Sequence, residues 1–318
     1  MILITGATGF IGHYLLARLL RAGYACAVLV RPPQSESMGR LAGLLAGVGL
    51  DAAEFIRAER LVPLEGDLDD CWPLTRDATV SPLDASRPSR VKGWPSAREL
   101  RVATIVHSAA STRFASGSDG EPERTNVRGT RRLLDWADAA GVRRFHLVSS
   151  AYVCGRSAGP VAERFEFDPA AFHNDYERAK WRAEQLCVEW AGQGRADDCQ
   201  SQNPENGPAG RRSHTEGSRS HTGFGRGSRS LTIHRPSVVV GEFGSGRSVK
   251  FAGFYLMARA TELLDRAFAS ACDADRQAVP LRIGARPADR QNIVPVDYVA
   301  DCMAAIVGDP GRDGRVYH

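Results

Sequence analysis

The sequence predicts an α/β fold, in which a doubly wound parallel sheet is joined to a small C-terminal substrate-binding lobe. Two observations predict it. Short apolar runs of strand length alternate along the chain with longer amphipathic segments of helical periodicity. A glycine motif also lies between the first apolar run and the first of these helices. Alternating strands and helices form βαβ units, whose strands must be parallel.

The first part of the chain contains three predicted strands and two predicted helices. Apolar residues recur at helical spacing between the first two strands, and a glycine follows at the position of a helix C-cap. The expected elements are a strand at residues 2–5, a helix at 10–22, strands at Ala25–Val30 and Leu61–Leu64, and a helix at 41–58.

The alternation continues after a segment rich in Pro, Ser and Arg at residues 75–98, which we interpret as a surface insertion. The expected elements are strands at Ala103–His107, Phe145–Ser149 and Leu231–Gly241, a helix over about 125–140, and a helix that carries Tyr176 and continues to about Gly192.

One long segment breaks the pattern. Residues 193–230 are dominated by Gly, Ser, Arg, Asn, Gln and His, and Phe224 is their only aromatic residue. Such a composition buries too little apolar surface to order itself, so we expect a flexible low-complexity insertion. The predicted organisation is a Rossmann-type core at 1–192, this insertion at 193–230, and the rest of the sheet with the lobe at 231–318.

The composition excludes several classes of protein. With 318 residues, 43% hydrophobic residues and a net charge of +4, the chain is globular and is not expected to bind nucleic acid. Its seven cysteines form no C-x-x-C pair, so neither a disulfide framework nor a metal site is expected, and a reducing compartment is favoured. Without a predicted signal peptide or apolar run of about 18 residues, we expect a cytoplasmic protein without a membrane span.

The glycine motif predicts a dinucleotide site. In Thr5–Gly12, Gly6 permits a tight turn, Gly9 lets backbone amides approach a pyrophosphate, and Gly12 lets the helix pack closely on the strand. The helix N-terminus adds free N–H groups and partial positive charge for the phosphates. The other residues expected to form this cradle are Thr8, Phe10 and Ile11.

The end of the second strand predicts which dinucleotide is bound. Arg31 stands where an acid would bind the ribose 2′-hydroxyl of NAD, whereas a guanidinium can bind a 2′-phosphate. Arg40 is a second candidate, so NADP(H) is preferred over NAD(H), although either arginine can be a solvated surface residue. Asp67, with Leu68 beside it, is expected to contact the adenine; Asp67 can equally be a helix N-cap.

Tyr176 and Lys180 are the predicted catalytic pair, because residues at i and i+4 share one face of a helix. The ammonium is expected to lower the pKa of the phenol, which is about 10 when unperturbed. Ser150, at a strand end, is expected to orient a substrate carbonyl, and Ser149 is the competing serine.

Together these segments resemble the extended short-chain dehydrogenases/reductases. Within that group the chain most resembles thioester reductase and fatty acyl-CoA reductase domains, through Ser150–Val153, His234–Gly241 and Asn292–Val299. Further residues implied by the resemblance are Ala109 and Ala110 lining the cofactor, Pro236 and Val238 at its nicotinamide end, Asn126 as a structural or relay residue, and His107 as a packing residue.

The resemblance implies NADP(H)-dependent reduction of a small-molecule or carrier-bound acyl thioester to an aldehyde. A sugar-nucleotide epimerase or dehydratase, a hydroxysteroid-type dehydrogenase, and a cofactor-sensing protein without catalysis remain alternatives. Cys154 and Ala179 depart from the residues common in these families, but neither change removes a proton donor. Relatives continue beyond the position of Tyr317–His318, so a truncated substrate lobe is expected.

Overall fold

The computed structural model describes most of the chain in seven stretches. These are residues 1–68, 100–157, 159–165, 171–200, 229–249, 254–269 and 292–318. The predicted surface insertion at 75–98 lies outside the described residues, and so do residues 201–228 of the predicted low-complexity insertion.

The described strands confirm the predicted parallel sheet, which has seven strands in the order β3-β2-β1-β4-β5-β6-β9. β1 pairs with β2 on one side and β4 on the other, so the winding reverses there. Such a reversal opens a crevice at the carboxyl ends of the strands, where ligands bind in these folds. The strands are β1 (Ile2–Thr5), β2 (Cys26–Val30), β3 (Leu61–Glu65), β4 (Thr104–His107), β5 (Arg144–Val148), β6 (Ser230–His234) and β9 (Val316–Tyr317).

Helices cover both faces of the sheet, as expected of a doubly wound fold. On one face, Leu16 and Met303 pack in a cluster with the strands; on the other, Trp136 and Trp190 do so. The helices are α1 (Phe10–Arg21), α2 (Gln34–Gly47), α3 (Ala52–Arg57), α4 (Thr130–Ala139), α5 (Asp175–Gln200), α6 (Phe254–Ala269) and α7 (Val296–Gly308). No helix among these described segments is long and apolar enough to cross a membrane.

A second, two-stranded parallel sheet accompanies the main one. It consists of β7 (Val238–Val240) and β8 (Ile293–Pro295). The single strand predicted at Leu231–Gly241 is therefore wrong: it divides into β6 and β7, which belong to different sheets. Pro236 lies between them, and a proline cannot donate a backbone hydrogen bond to a neighbouring strand.

The helix predicted at 41–58 is also wrong, because the structure contains two helices there. α2 begins earlier, at Gln34, and ends at Gly47. Gly49 then has a φ of +77°, a left-handed conformation that ends a helix and suits glycine. Asp51 begins α3 by accepting a hydrogen bond from the Ala53 amide at 2.9 Å.

Two other helices differ from their predicted forms. The first turns of the helix predicted over 125–140 are a π-helix, Arg124–Gly129, which leads into α4. α5 ends at Gln200 and not near Gly192, so its end overlaps the start of the predicted insertion. The division of the chain into three parts stays a prediction.

Candidate active site

The three glycines of the motif form a turn that has no room for side chains. A Cβ on Gly12 would lie 2.1 Å from the Gly6 carbonyl oxygen, and one on Gly6 would lie 2.5 Å from the Ala109 amide nitrogen. Gly6 has a φ of +72°, and the Gly9 amide donates to its carbonyl at 2.8 Å. The motif therefore joins the end of β1, the start of α1 and the segment after β4 in close contact.

The N-terminus of α1 points its backbone amides at this turn. Gly9 is the N-cap, and no side chain caps the helix there. The first N–H groups of a helix have no partner within it and carry partial positive charge, which suits phosphate oxygens. Thr8, Phe10 and Ile11 surround them and are partly buried. This arrangement fits the pyrophosphate of a dinucleotide.

Arg31 lies directly after β2, and its side chain is exposed. Arg40 is exposed on α2. Burial lowers the pKa of His13, in the first turns of α1, and the charges of Arg247 and Arg40 add to this shift. Sequence reasoning missed Glu65 at the end of β3, whose carboxylate accepts from the Gln34 amide at 2.6 Å. Glu65 therefore caps the N-terminus of α2, three residues after Arg31.

Asp67 and Leu68 follow β3 at the carboxyl edge of the sheet. Leu68 is buried, and a Cβ on Gly129 would lie 3.0 Å from the Leu68 Cβ. Leu68 therefore packs on the π-helix that precedes α4. Asp67 is partly buried beside it.

A buried polar network ties the ends of β1 and β4 to α4. His107 Nδ1 lies 2.7 Å from Thr5 Oγ1, and His107 Nε2 lies 2.9 Å from Thr130 Oγ1. Burial lowers the pKa of His107 to about 3, and the charge of Lys180 contributes. The ring is therefore neutral and satisfied on both sides, which is the geometry of a packing residue.

Asn126 holds the segment after β4 in place. Its Oδ1 accepts from the Ser111 amide at 2.8 Å, and its Nδ2 donates to the Ser111 carbonyl at 2.9 Å. Ala109 and Ala110 immediately precede this anchor and are partly buried, and the Ala109 amide donates to Thr5 Oγ1 at 3.2 Å. Asn126 thus has a positioning role for the segment that faces the glycine turn.

Ser150 and Tyr176 meet at the carboxyl end of β5. The Ser150 hydroxyl lies beside the Tyr176 phenol, where it acts to lower the pKa of that phenol, and it accepts from the Tyr152 amide at 3.2 Å. Ser150 is the N-cap of a one-turn 3₁₀ helix, Ala151–Cys154, and the capping bond to the Tyr152 amide holds its hydroxyl at the end of β5. The structure therefore brings together the predicted serine and tyrosine.

The expectation that Lys180 lowers the pKa of Tyr176 is wrong for this structure. Burial raises the pKa of Tyr176 to about 12, the hydrogen bond with Ser150 opposes the shift, and Tyr152 adds to it. The ammonium of Lys180 donates to the Val148 carbonyl at 2.6 Å. The phenol is consequently protonated at neutral pH.

Lys180 is buried on α5, and burial lowers its pKa to about 8 against the charge of Glu184 one turn further on. Glu184 forms a fully buried ion pair with Arg235, through Nε at 3.0 Å and Nη2 at 2.7 Å. Sequence reasoning missed this pair, although Glu184 lies at helical spacing from Lys180 and Arg235 precedes Pro236. It fixes the helix of Lys180 to the end of β6.

The segment after β6 lies beside Ser150. The Pro236 carbonyl accepts from the Ala151 amide at 2.9 Å, and the His234 carbonyl accepts from the Ser149 amide at 2.7 Å. Val238, partly buried, begins β7 two residues later. Pro236 therefore lies next to the serine–tyrosine pair, as the resemblance implies for a residue at the nicotinamide end.

Ser149 provides a further test of fit for a nicotinamide cofactor. Its Oγ is buried and has no hydrogen-bond partner among the described residues. A buried hydroxyl without a partner is costly, and a ribose or carboxamide group would satisfy it. With the glycine turn and the open N-terminus of α1 on the same edge, the residues fit a nicotinamide dinucleotide. Ser149, Lys180 and Pro236 would hold its nicotinamide half.

Two curated relatives match part of the chain. A UDP-glucose 4-epimerase of Mycolicibacterium smegmatis is 31% identical over 173 residues, 53% of this chain and 45% of the relative. A 3-diazoavenalumate denitrifying reductase of a Streptomyces species is 27% identical over 162 residues, 51% of this chain and 41% of the relative. The matches thus span less than half the length of either relative.

Among solved structures, the terminal R domain of the myxalamid PKS-NRPS biosynthetic pathway has the same fold. It is 23% identical, its TM-score is 0.67, and the match covers 100% of this chain and 65% of that domain. The NAD dependent epimerase/dehydratase family model matches residues 2–222, from the glycine motif past the Tyr176 helix. The resemblance predicted from the motifs is confirmed, and the chain belongs to the NAD dependent epimerase/dehydratase family.

Proposed function

We propose that this protein is an NADP(H)-dependent reductase that converts an acyl thioester to an aldehyde. One observation carries the proposal. Tyr176 lies beside Ser150 at the carboxyl edge of the sheet, the same edge that carries the glycine turn that fits a dinucleotide, and burial raises the pKa of its phenol to about 12. A phenol that stays protonated is a proton donor, and reduction of a carbonyl requires one where negative charge develops.

The residues divide the work of the reaction. A bound nicotinamide cofactor would supply the hydride that reduces the carbonyl carbon of the thioester. Ser150 and Tyr176 hydrogen-bond the oxygen as it becomes negative, and Tyr176 transfers its proton to that oxygen. The resulting hemithioacetal collapses to aldehyde and free thiol. One thioester, one reduced cofactor and one proton therefore give one aldehyde, one thiol and one oxidised cofactor.

The surroundings of Tyr176 favour reduction over elimination. A dehydration requires a carboxyl group free to exchange protons with the substrate. Glu177, the acid next to the phenol in sequence, is buried and accepts from the His173 amide at 2.8 Å and from Asn174 Nδ2 at 3.1 Å.

The cofactor preference and the substrate carrier complete the proposal. Arg31 at the end of β2 is free to bind a 2′-phosphate, which supports NADP(H) over NAD(H). The substrate is a small-molecule thioester or an acyl group on a carrier protein, as the fold shared with a reductase domain of a PKS-NRPS pathway supports. We keep the cytoplasm as the predicted location.

The decisive experiment follows cofactor oxidation together with thiol release. The protein is mixed with NADPH and acyl thioesters of coenzyme A and pantetheine, and absorbance at the NADPH band is recorded beside a thiol reagent. We expect equal amounts of NADPH consumed and thiol released, with an aldehyde as product. Thiol release without NADPH consumption would indicate hydrolysis and contradict the proposal.

Sugar nucleotides test the second candidate function in the same assay. The match to a UDP-glucose 4-epimerase favours it, so UDP- and dTDP-sugars are incubated with NAD and followed by chromatography. We expect no epimer or dehydrated sugar. Conversion of a sugar nucleotide, without reduction of any thioester, would replace the proposed function by that of an epimerase or dehydratase.

A further inference from the structure

Phe114 is a large apolar side chain left exposed beside the proton donor. It lies in the segment between β4 and the π-helix, and 57% of its surface is exposed. Its ring centroid lies 6.1 Å from that of Tyr176, with the ring planes inclined by 51°. A phenylalanine exposed in this way does not contribute to the core, and covering its ring with an apolar ligand lowers the free energy of the complex.

The backbone of Phe114 is held firmly although its ring is not buried. The Asp175 amide donates to the Phe114 carbonyl at 2.9 Å. The Ser116 amide and hydroxyl both donate to Asp175 Oδ2, at 2.8 and 2.6 Å. Asn126 fixes Ser111 at the start of the same segment. Because Asp175 immediately precedes Tyr176, these bonds couple the position of the ring to that of the phenol.

Tyr152 adds a second exposed aromatic ring near the same phenol. It lies on the 3₁₀ helix that Ser150 caps, 43% of its surface is exposed, and it helps to raise the pKa of Tyr176. The neighbouring Arg113 pairs with Asp119 of the same segment at 2.6 Å. Two exposed aromatic rings therefore lie near the reacting position, and the backbone of Phe114 is fixed in advance.

From this geometry we infer that Phe114 determines acyl specificity, by packing against an apolar acyl chain directly adjoining the thioester carbonyl. The inference rests on the proposed thioester reduction and specifies its substrate class. Phe114 contacts the substrate but transfers no proton. A longer apolar chain covers the ring and a two-carbon chain cannot, so the ring favours the longer substrate by about tenfold in kcat/KM.

The test compares octanoyl and acetyl thioesters of pantetheine, each with NADPH. For Phe114→Ala we expect kcat/KM for the octanoyl thioester to fall about tenfold, while the value for the acetyl thioester changes less than about threefold. Phe114→Leu, which keeps apolar volume, should retain most of the octanoyl preference. Ile56→Ala is the matched control, because Ile56 is 40% exposed on α3, just before the amino end of β3.

A binding measurement separates failure of this inference from failure of the proposed function. The octanoyl thioester is titrated by calorimetry in the presence of NADP⁺, which cannot deliver hydride. Weaker octanoyl binding in Phe114→Ala than in Ile56→Ala supports the acyl contact even if no thioester is reduced. An octanoyl-to-acetyl ratio unchanged in folded Phe114→Ala, or equal octanoyl binding by both variants, would overturn the inference.

Discussion

Replacing Gly12 by alanine tests the close packing of the dinucleotide turn. The new Cβ would lie 2.1 Å from the Gly6 carbonyl oxygen and 2.8 Å from its carbon, so the start of α1 must move away from β1. Overpacking of this kind costs about 1–3 kcal/mol, against about 1 kcal/mol gained from the better helix propensity of alanine. Displacing the amides that face the phosphates should weaken NADPH binding by about tenfold or more.

Gly43→Ala is the matched control for this variant. Gly43 lies within α2, and a Cβ there meets nothing within 4 Å, so the substitution reports the helix-propensity gain alone. Gly9→Ala is an intermediate case, with a closest approach of 3.0 Å to the Gly6 carbonyl oxygen. It keeps the test informative if Gly12→Ala does not fold.

The assay combines thermal unfolding with a fluorescence titration of NADPH. Gly43→Ala should raise the melting temperature by about 1–2 °C, since an unfolding entropy of about 2.1 cal/mol/K per residue makes about 1 kcal/mol worth about 1.5 °C in a chain of 318 residues. Gly12→Ala should lower the melting temperature and the affinity, and Gly9→Ala should lower the affinity with a smaller loss of melting temperature. If Gly12→Ala bound NADPH as tightly as Gly43→Ala and melted at the same temperature, the reasoning about the turn would be refuted.

Three further predictions concern charge and proton binding. We expect the protein to bind NADPH about tenfold more tightly than NADH, and we expect Arg31→Ala to remove this preference. Glu65→Gln should increase the preference. Equal affinities for NADPH and NADH in the unaltered protein would contradict the assignment of Arg31 to the 2′-phosphate. Lys180→Arg should reduce turnover nearly as much as Lys180→Ala, because a planar guanidinium does not fit the buried site of a compact ammonium. Near-normal turnover of Lys180→Arg would reduce the role of Lys180 to that of a general positive charge. Burial lowers the pKa values of His107 and His234 to about 3. Below about pH 6.5 these histidines therefore bind protons in the unfolded chain but stay neutral in the folded protein. The free energy of unfolding, measured in urea, should therefore fall between about pH 6.5 and 3, less steeply in His234→Asn, and a flat profile would count against buried neutral histidines.

Local patterns were sufficient to predict the parts of the site that depend on neighbours in sequence. The glycine turn needs only Gly6, Gly9 and Gly12 after a strand, and these spacings are visible in the chain. The alternation of strands and helices likewise predicted the parallel sheet. Tyr176 was found because a helical spacing joins it to Lys180, and Ser150 because it follows an apolar run.

Contacts between distant segments were not predicted, because no short pattern encodes them. The buried pair of Glu184 and Arg235 joins residues from α5 and the end of β6. The pKa of Tyr176 depends on burial and on where the Lys180 ammonium points, which only the packed structure reveals. Phe114 gave no signal, since it is brought beside Tyr176 by packing between distant segments and by the bond from the Asp175 amide to its carbonyl.

The most direct test of the central claim is single-turnover NADPH oxidation by Tyr176→Phe. The phenol is assigned to hydrogen bonding and proton transfer at the substrate oxygen and not to cofactor binding, so the rate on a thioester should fall by about 10²–10⁴-fold while NADPH affinity stays nearly unchanged. Tyr24→Phe is the control, because the Tyr24 hydroxyl bonds the Gly308 carbonyl at 3.3 Å, away from the site. A Tyr176→Phe rate within about threefold of the Tyr24→Phe rate would contradict the catalytic assignment and the reductase mechanism built on it.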